Sequence, residues 1–467
     1  MKSEVRSWKY EVKLPTFDIR LPTSDFRHPT SLGMHPLKSI ISLAEARKIL
    51  DENSKPVERT EEVALLQLCG RALAQEVRAP IDVPPFNRAA MDGYAVRAED
   101  TFGAGQMKPK ELRLLGTVNA GASAGGAIKK GACIQIATGA PMPDGANSVV
   151  MVEETEREGK TIKIYRAVHP GENVGKKGED IVAGAAILKK GEVLNPAKVG
   201  VLAALGFEKA KVYAKPKIAV IPSGNEIAEQ GKPLPPEKIY DVNSFTLSAL
   251  VAANGCEPQK WKAAPDSLGA VKNVLTKAAA ECDLVLISGG SSVGEKDVVL
   301  GAIQQSGKLL FHGIAVKPGK PTLCGIVSGK MVIGMPGYPT SCLTNGYGLL
   351  VPLLRKMARL PLQEPRKVKA KMARRTTSTI GRFQFLPVKL KNREPRIENR
   401  ESGTESRESR VSSHESRIPI LESRIIAIPV FKESGAITSM SLADGYIEIP
   451  ENVDLVEKDE DVEVILF

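Results

Sequence analysis

Aromatic side chains are scarce in this chain of 467 residues: Phe, Trp and Tyr make up 4% of it, and only two are Trp. A platform that stacks single-stranded nucleic acid needs aromatics interleaved with basic residues, and the basic C-terminal stretch has too few of them. Long apolar runs are missing too. No segment approaches the roughly 18 apolar residues that cross a bilayer, and no charged start leads into an apolar signal core, so the expected location is cytoplasmic. The six cysteines (Cys69, Cys133, Cys256, Cys282, Cys324, Cys342) include no CxxC pair and no Cys/His cluster of the kind zinc requires. They read as reduced, mostly buried thiols. The five histidines (His28, His35, His169, His312, His414) fall mostly in turns and tails, which supports no Ser-His-Asp arrangement, and no Walker A sequence is present.

What the chain does have is Gly (41), Pro (32) and a net charge of +11. The length suggests about three domains at roughly 150 residues each. The charge first suggests nucleic acid or an anionic surface, but its position argues against that reading. Residues 366–424 carry 16 Lys/Arg against 7 Asp/Glu and residues 1–38 carry 7 against 4, so the remainder nets −1 and the body of the protein is nearly neutral.

Residues 1–38 show no sustained period and read as a flexible extension, with Met34 as an alternative start. Ser42 followed by Glu45 is a capping box that opens a helix over SLAEARKIL. A second helix, leading into a strand, is expected through EEVALLQLCGRALAQEVRAP, with Gly70 as its C-cap. These segments begin an N-terminal linking domain over 39–110 and 170–214. It is interrupted at 111–169 by a small β-module, whose apolar segments LRLLGTV, ACIQIAT, NSVVMVEE and TIKIYRAV recur about every ten residues. From 215 to 362 the apolar strands KIAVIP, DLVLIS and MVIGM alternate with helices, which predicts βαβ units and a mostly parallel sheet covered on both faces. Residues 366–467 read as a β-barrel or sandwich, split at about 391–424 by an insert in which ESR recurs. With almost no apolar residues, that insert is expected to be disordered. The fold class is multidomain α/β plus β.

Ligands of parallel sheets bind beyond the C-terminal strand ends, where the SGN, SGG and MPG turns fall. DLVLISGGSSVGEKD is the most informative segment: a buried strand, a Gly/Ser loop and a helix start expose backbone N–H groups suited to a phosphate or another oxyanion. Gly289 and Gly290 admit close approach, Ser291 and Ser292 offer hydroxyls, and Asp297 beside an anion site makes sense with a metal ion or water between. A tight turn with a solvated Asp is the alternative. VKPGKPTLCG holds Lys317 and Lys320 in a Pro/Gly frame, either as a basic notch or as a plain surface turn. GMPGYPTS adds Ser341 at the same sheet edge. Asp92 in PPFNRAAMDGYAV is a presented carboxylate or a turn Asp that caps its own backbone. GENVGKKGEDI places Glu172, Glu179 and Asp180 among glycines and lysines, and IATGAPMPDGA exposes Thr138 on a turn.

Taken in chain order, PPFNRAAMDGYAV, IATGAPMPDGANSVVMVEE, GENVGKKGEDI, KIAVIPSGNEI, DLVLISGGSSVGEKD, VKPGKPTLCG, GMPGYPTSC and SGAITSMSLADGYIEIPE resemble the molybdopterin molybdenumtransferase family, known as MoeA in bacteria and archaea and as the E domain of gephyrin in animals. The resemblance covers the chain except the extension and the insert. It implies four-domain subunits with a central MoaB/Mog-like α/β domain and a C-terminal β-barrel-like domain. It also implies an elongated homodimer whose cleft the partner chain completes. The implied activity is the last step of molybdenum cofactor synthesis: molybdate enters adenylylated molybdopterin with Mg²⁺-dependent release of AMP. By resemblance, Asp92, Asp180, Glu226 and Asp297 are the catalytic acids, with Glu226 and Asp297 at the metal. Thr138, Gly289, Gly290, Ser291, Ser292, Pro336 and Pro339 bind the molybdopterin substrate, while Lys317, Lys320, Ser341, Arg382 and Ser439 bind molybdate. The molybdopterin adenylyltransferase is a candidate partner.

Three departures stand out. The usual acidic pair after the first α/β strand is Asn225 and Glu226 here, the usual Asn of the GNP turn is Tyr338, and the insert splits the C-terminal module. Two other readings share the α/β domain or the whole fold: a non-enzymatic scaffold like gephyrin, and the adenylyltransferase of the preceding step. The retained acids and lysines argue against the first, and the MDGYA, TGAP and GED blocks argue against the second.

Overall fold

In the computed structural model, residues 40–289, 297–362, 364–392, 425–430 and 436–467 are described. The extension 1–38, the insert from 393 onward and the loop residues Gly290, Ser291 and Ser292 lie outside them.

The helix Leu43–Glu52 starts where the capping signal placed it: Ser42 Oγ accepts from the Glu45 N–H at 3.1 Å. Its buried face, Leu43, Ala46 and Leu50, packs into one core of the α/β domain. The second expected helix is not there. Thr60–Ala64 is a strand, paired antiparallel with Lys209–Tyr213, and a single 3₁₀ turn, Leu65–Gln67, follows it. Pairing with a partner about 150 residues away buries Val63 beside Ala210 and Val212, and this tertiary contact overrides local helix propensity. Gly70 does take a positive φ of 78°, in the turn after this 3₁₀ segment.

The four apolar segments of the β-module all form strands, in a six-stranded sheet ordered Ser148–Met151, Gly93–Val96, Ala132–Ile136, Lys110–Val118, Thr161–Ile164, Thr155–Glu158. The sheet takes in Gly93–Val96, which lies ahead of the 111–169 stretch and has no alternation because all four residues are buried.

The central domain is a six-stranded sheet in the order Glu257–Lys260, Lys217–Pro222, Leu284–Ser288, Lys330–Met335, Leu323–Val327, Gly307–His312. The first four strands are parallel and the last two antiparallel. Period-two alternation divides each central strand between two cores. Ile218, Val220, Leu284 and Leu286 face the helices Leu43–Glu52, Asn243–Ala253 and Val351–Met357, while Ala219, Ile221, Val285 and Ile287 face Leu268–Glu281 and Val298–Ser306. Each such Leu or Ile contributes roughly 1.5–3 kcal/mol of burial.

Phe383–Asn392, Ile425–Pro429, Lys367–Met372, Asp461–Leu466 and Gly445–Ile449 pair in that order, and the last pairs again with the first, which closes a five-stranded barrel. Each of the five strands thus has two neighbours in the ring. Val316–Lys317, from the α/β domain, adds a short parallel strand at Phe383–Gln384. The insert enters and leaves the barrel at Asn392 and Ile425, which face each other in register.

The basic stretch is matched inside this barrel. Residues 366–392 hold nine Lys/Arg and no acid, yet Lys367 meets Glu463 at 2.8 Å, Lys371 meets Asp461 at 3.3 Å and Arg375 meets Glu457 at 3.7 Å. All six cysteines are free thiols, and five of them are buried, Cys69 being exposed. No helix among the described residues is long and apolar enough to cross a membrane.

Candidate functional site

Three turns meet where three parallel strands end. The Ser223 N–H donates to Ser288 O at 2.8 Å, and Gly289, with φ of 92°, lies so close that a Cβ there would stand 2.2 Å from Ser223 O. Only glycine fits this contact. Gly337 closes the third side, its Cβ position lying 3.6 Å from the Gly289 Cα. Pro336 is buried beneath it, whereas Tyr338 is 64% exposed at the start of helix Pro339–Asn345. Asn243 Nδ2 donates to Gly337 O at 2.8 Å. Among the described residues the buried Ser223 hydroxyl and Asn243 Oδ1 find no hydrogen-bond partner, although buried polar atoms are nearly always paired.

Acidic groups stand around this mouth in different states. Glu226 is exposed, and its carbonyl accepts from the Ile239 N–H at 2.9 Å. Asn225 Oδ1 accepts from the Asp266 N–H at 3.3 Å, which brings Asp266 to the same turn; nothing in the local pattern of AAPDS had singled it out. Asp297 is the N-cap of helix Val298–Ser306: Oδ1 accepts from the Leu300 N–H at 2.8 Å. Its side chain is 7% exposed, and Oδ2, which finds no hydrogen-bond partner among the described residues, lies 3.5 Å from His312 Nε2. Among the described residues no three His, Cys, Asp or Glu side chains gather to hold a metal.

The lysine loop is anchored from two sides. Lys317 Nζ donates to Thr379 Oγ1 at 3.0 Å, and the Arg382 N–H donates to Thr379 O at 3.2 Å, so Lys317 and Arg382 converge on one barrel turn. On the other side, Asn345 reaches Gly319 O at 2.8 Å from the helix that carries Ser341. The same helix meets the segment of Ser439: Thr340 Oγ1 donates to Ala436 O at 3.0 Å, and Thr344 Oγ1 lies 3.8 Å from Met440 Sδ. The Ser439 hydroxyl is buried and finds no partner among the described residues. Thr379 and Asn345 carry no motif in the sequence, and only the pairing of distant elements reveals them.

A third group lies in the N-terminal half. Thr138 and Asp92 meet, the Thr138 N–H donating to Asp92 Oδ1 at 2.7 Å, and this backbone hydrogen bond, with one from the Thr138 side chain, holds the exposed Asp92 carboxyl below its ordinary range. Ala89 N–H to Ala140 O (2.9 Å), Ala90 N–H to Asn173 O (2.9 Å) and Lys177 N–H to Asn87 Oδ1 (2.8 Å) stitch the MDGYA, TGAP and GED turns together. The Asp180 side chain is exposed, its own N–H donating to Val83 O at 3.0 Å. Glu172 and Glu179 instead close their own turns, accepting from His169 and Lys176 N–H at 2.9 and 3.0 Å. No hydrogen bond or ion pair of Asp92, Thr138 or Asp180 reaches the strand-end turns among the described residues.

A cavity of about 860 Å³ lies elsewhere, between helix Leu43–Glu52, helix Val351–Met357 and the 191–198 loop. Its cations are already matched: Lys356 meets Asp51, Lys198 meets Glu192 and Arg359 meets Glu58.

Three family models match in chain order: "MoeA N-terminal region (domain I and II)" over 41–206, "Probable molybdopterin binding domain" over 219–356 and "MoeA C-terminal region (domain IV)" over 417–467. A Methanocaldococcus jannaschii protein whose name assigns it to molybdopterin biosynthesis is 34% identical over 92% of this chain and 99% of its own. The chain belongs to the MoeA family. A Haemophilus influenzae molybdopterin molybdenumtransferase is 33% identical over 74% of this chain and 85% of its own. Crystal structures of a molybdopterin biosynthesis MoeA protein from Pyrococcus horikoshii superpose with TM-scores of 0.74 and 0.70, at 39% and 34% identity, over 92% of this chain and 99% or more of theirs. The multidomain MoeA arrangement expected from the ordered motifs, with its α/β centre and C-terminal barrel, is the one observed, and the family's curated members include named transferase enzymes.

Proposed function

We propose that this chain is a molybdopterin molybdenumtransferase, inserting molybdate into adenylylated molybdopterin with Mg²⁺-dependent release of AMP. The observation that carries this reading is the convergence of three glycine-lined strand-end turns beside a lysine loop tied to both the Ser341 helix and the barrel. Gly289 lets the strand-end turn close on Ser223, and the Gly290, Ser291 and Ser292 that follow it in sequence would supply backbone N–H groups and hydroxyls to a phosphate, with Pro336 and Pro339 shaping the adjoining wall. Molybdate is a tetrahedral dianion that only accepts hydrogen bonds. Lys317, Lys320 and Arg382 supply charge to it, and the Ser341 and Ser439 hydroxyls supply donors.

The acids suit a magnesium ion held by one or two carboxylates and completed by substrate oxygens and water, with no closed protein cage. Asp297 Oδ2, buried and without a hydrogen-bond partner among the described residues, and the exposed Glu226 would hold it. Bound there, the ion would neutralise phosphate charge and polarise water during AMP release. Asp92, whose ionised form Thr138 favours, and Asp180 share no hydrogen bond with the strand-end turns among the described residues, and in a homodimer they would complete the cleft of a second copy. The molybdopterin adenylyltransferase is the enzyme from which the adenylylated substrate would arrive.

The test is direct. Purified chain with Mg²⁺ and molybdate should convert adenylylated molybdopterin to AMP and to a cofactor that reactivates a molybdenum-free apoenzyme. Unchanged substrate would reject the reading, and adenylylation of free molybdopterin from ATP would replace it.

A further inference from the structure

Asn345 has no role in the resemblance, yet it is a buried polar side chain that binds the lysine loop directly. It is 1% exposed at the end of helix Pro339–Asn345, one turn beyond Ser341. Its Nδ2 donates to Gly319 O at 2.8 Å and to Thr322 Oγ1 at 2.7 Å, and Thr322 Oγ1 donates to the same Gly319 carbonyl at 2.9 Å. Gly319 sits between the two lysines with φ of 108°. A Cβ on it would fall 2.3–2.6 Å from the Asn345 amide atoms, so the amide occupies the space that a side chain at 319 would need. Residues four apart on a helix share a face. One helix face therefore carries both the Ser341 hydroxyl and the amide that grips the loop of Lys317 and Lys320.

We propose that Asn345 is a positioning residue that fixes the Lys317–Lys320 loop against Ser341, so that a tetrahedral oxyanion meets both ammonium groups and the hydroxyl at once. The proposal rests on the reading of this loop as the molybdate site. Its physical basis is preorganisation: a lysine on a flexible four-carbon stem gives directional affinity only if its backbone is held. Three contacts hold this backbone. The barrel pairs with Val316–Lys317, Thr379 takes the Lys317 ammonium, and Asn345 takes the turn between the lysines. Removing the amide frees the centre of the loop while both cations remain in the chain.

The experiment measures apparent KM for molybdate, kcat at saturating molybdate and melting temperature, in the full chain and in Asn345→Asp, Asn345→Ala, Thr322→Val and Lys320→Ala. Asparagine and aspartate have the same shape, but the carboxylate cannot donate to Gly319 O. The expected result is a molybdate KM raised about tenfold in Asn345→Asp with kcat within about twofold, and a smaller rise in Thr322→Val. A purely structural role would lower kcat or melting temperature and leave KM in place, and that pattern overturns the proposal. If neither Asn345 variant folds, Thr322→Val decides by the same KM criterion. A raised KM in Lys320→Ala without one in Asn345→Asp overturns this inference alone. An unchanged KM in Lys320→Ala overturns the molybdate-site reading and the inference with it.

Discussion

The backbone N–H of Thr138 donates to the carboxylate of Asp92 at 2.7 Å, across 46 positions of sequence. A charge-assisted bond of this kind favours the ionised acid. It also joins two of the chain's most distinctive motifs in one contact.

Asp92→Asn should separate charge from architecture. An asparagine oxygen can still accept from Thr138, and exposed substitutions usually change stability by less than about 0.5 kcal/mol. The melting temperature is expected to stay within about 2 °C while kcat/KM falls at least about tenfold. Steady-state kinetics beside a thermal melt checks both halves.

Asp283 predicts a pH dependence of stability. Burial pushes its carboxyl up, but the Arg59 hydrogen bonds at 2.8 Å, the Lys217 N–H at 2.9 Å and the nearby charges of Arg59 and Lys330 outweigh burial and leave it below its ordinary 3.8. Its contribution is therefore complete above about pH 4 and is lost as pH falls through the lower folded-state value. Arg59→Ala should cost roughly 1–2 kcal/mol at pH 7, since the pair is only partly buried. Urea unfolding should show that gap narrowing toward pH 3; a constant gap would refute the linkage.

Asp297 caps a helix and is assigned to a metal, and two substitutions distinguish these roles. Asparagine caps as well as aspartate, so Asp297→Asn should keep the fold and bind substrate while AMP release falls about a hundredfold. Asp297→Ala should add a stability loss of about 1 kcal/mol. Normal AMP release by the Asn variant would remove Asp297 from the metal site.

The insert should be dispensable to the barrel. Asn392 and Ile425 already face each other in register, and a two-residue Asn-Gly turn suits such a hairpin. A chain with 393–424 replaced by Asn-Gly should melt within about 3 °C of the parent. A larger drop would show that the insert packs on the barrel.

The parts of the fold legible in the sequence are those with strong local signals. The buried runs at Lys217–Pro222, Leu284–Ser288 and Lys330–Met335 announced the parallel sheet, Ser42 announced a helix start, and the turns after those strands located the mouth. The rest depended on partners far away in sequence. Glu257–Lys260 is a polar edge strand, and Leu323–Val327 continues a motif read only as a lysine turn; neither alternates. Asn345 and Thr379 are ordinary residues locally and become part of the site only once the helix, the loop and the barrel are brought together. The positive charge misled at first because the acids that answer Lys367 and Lys371 arrive about 90 residues later.

The pairing of Val316–Lys317 with Phe383–Gln384 gives the closed barrel a grip on the centre of the chain. The barrel thereby holds Lys317 through its backbone, while Asn345, on a helix of the α/β domain, holds Gly319 two residues on. The short loop that carries both lysines is a joint between the two domains, fastened once to each.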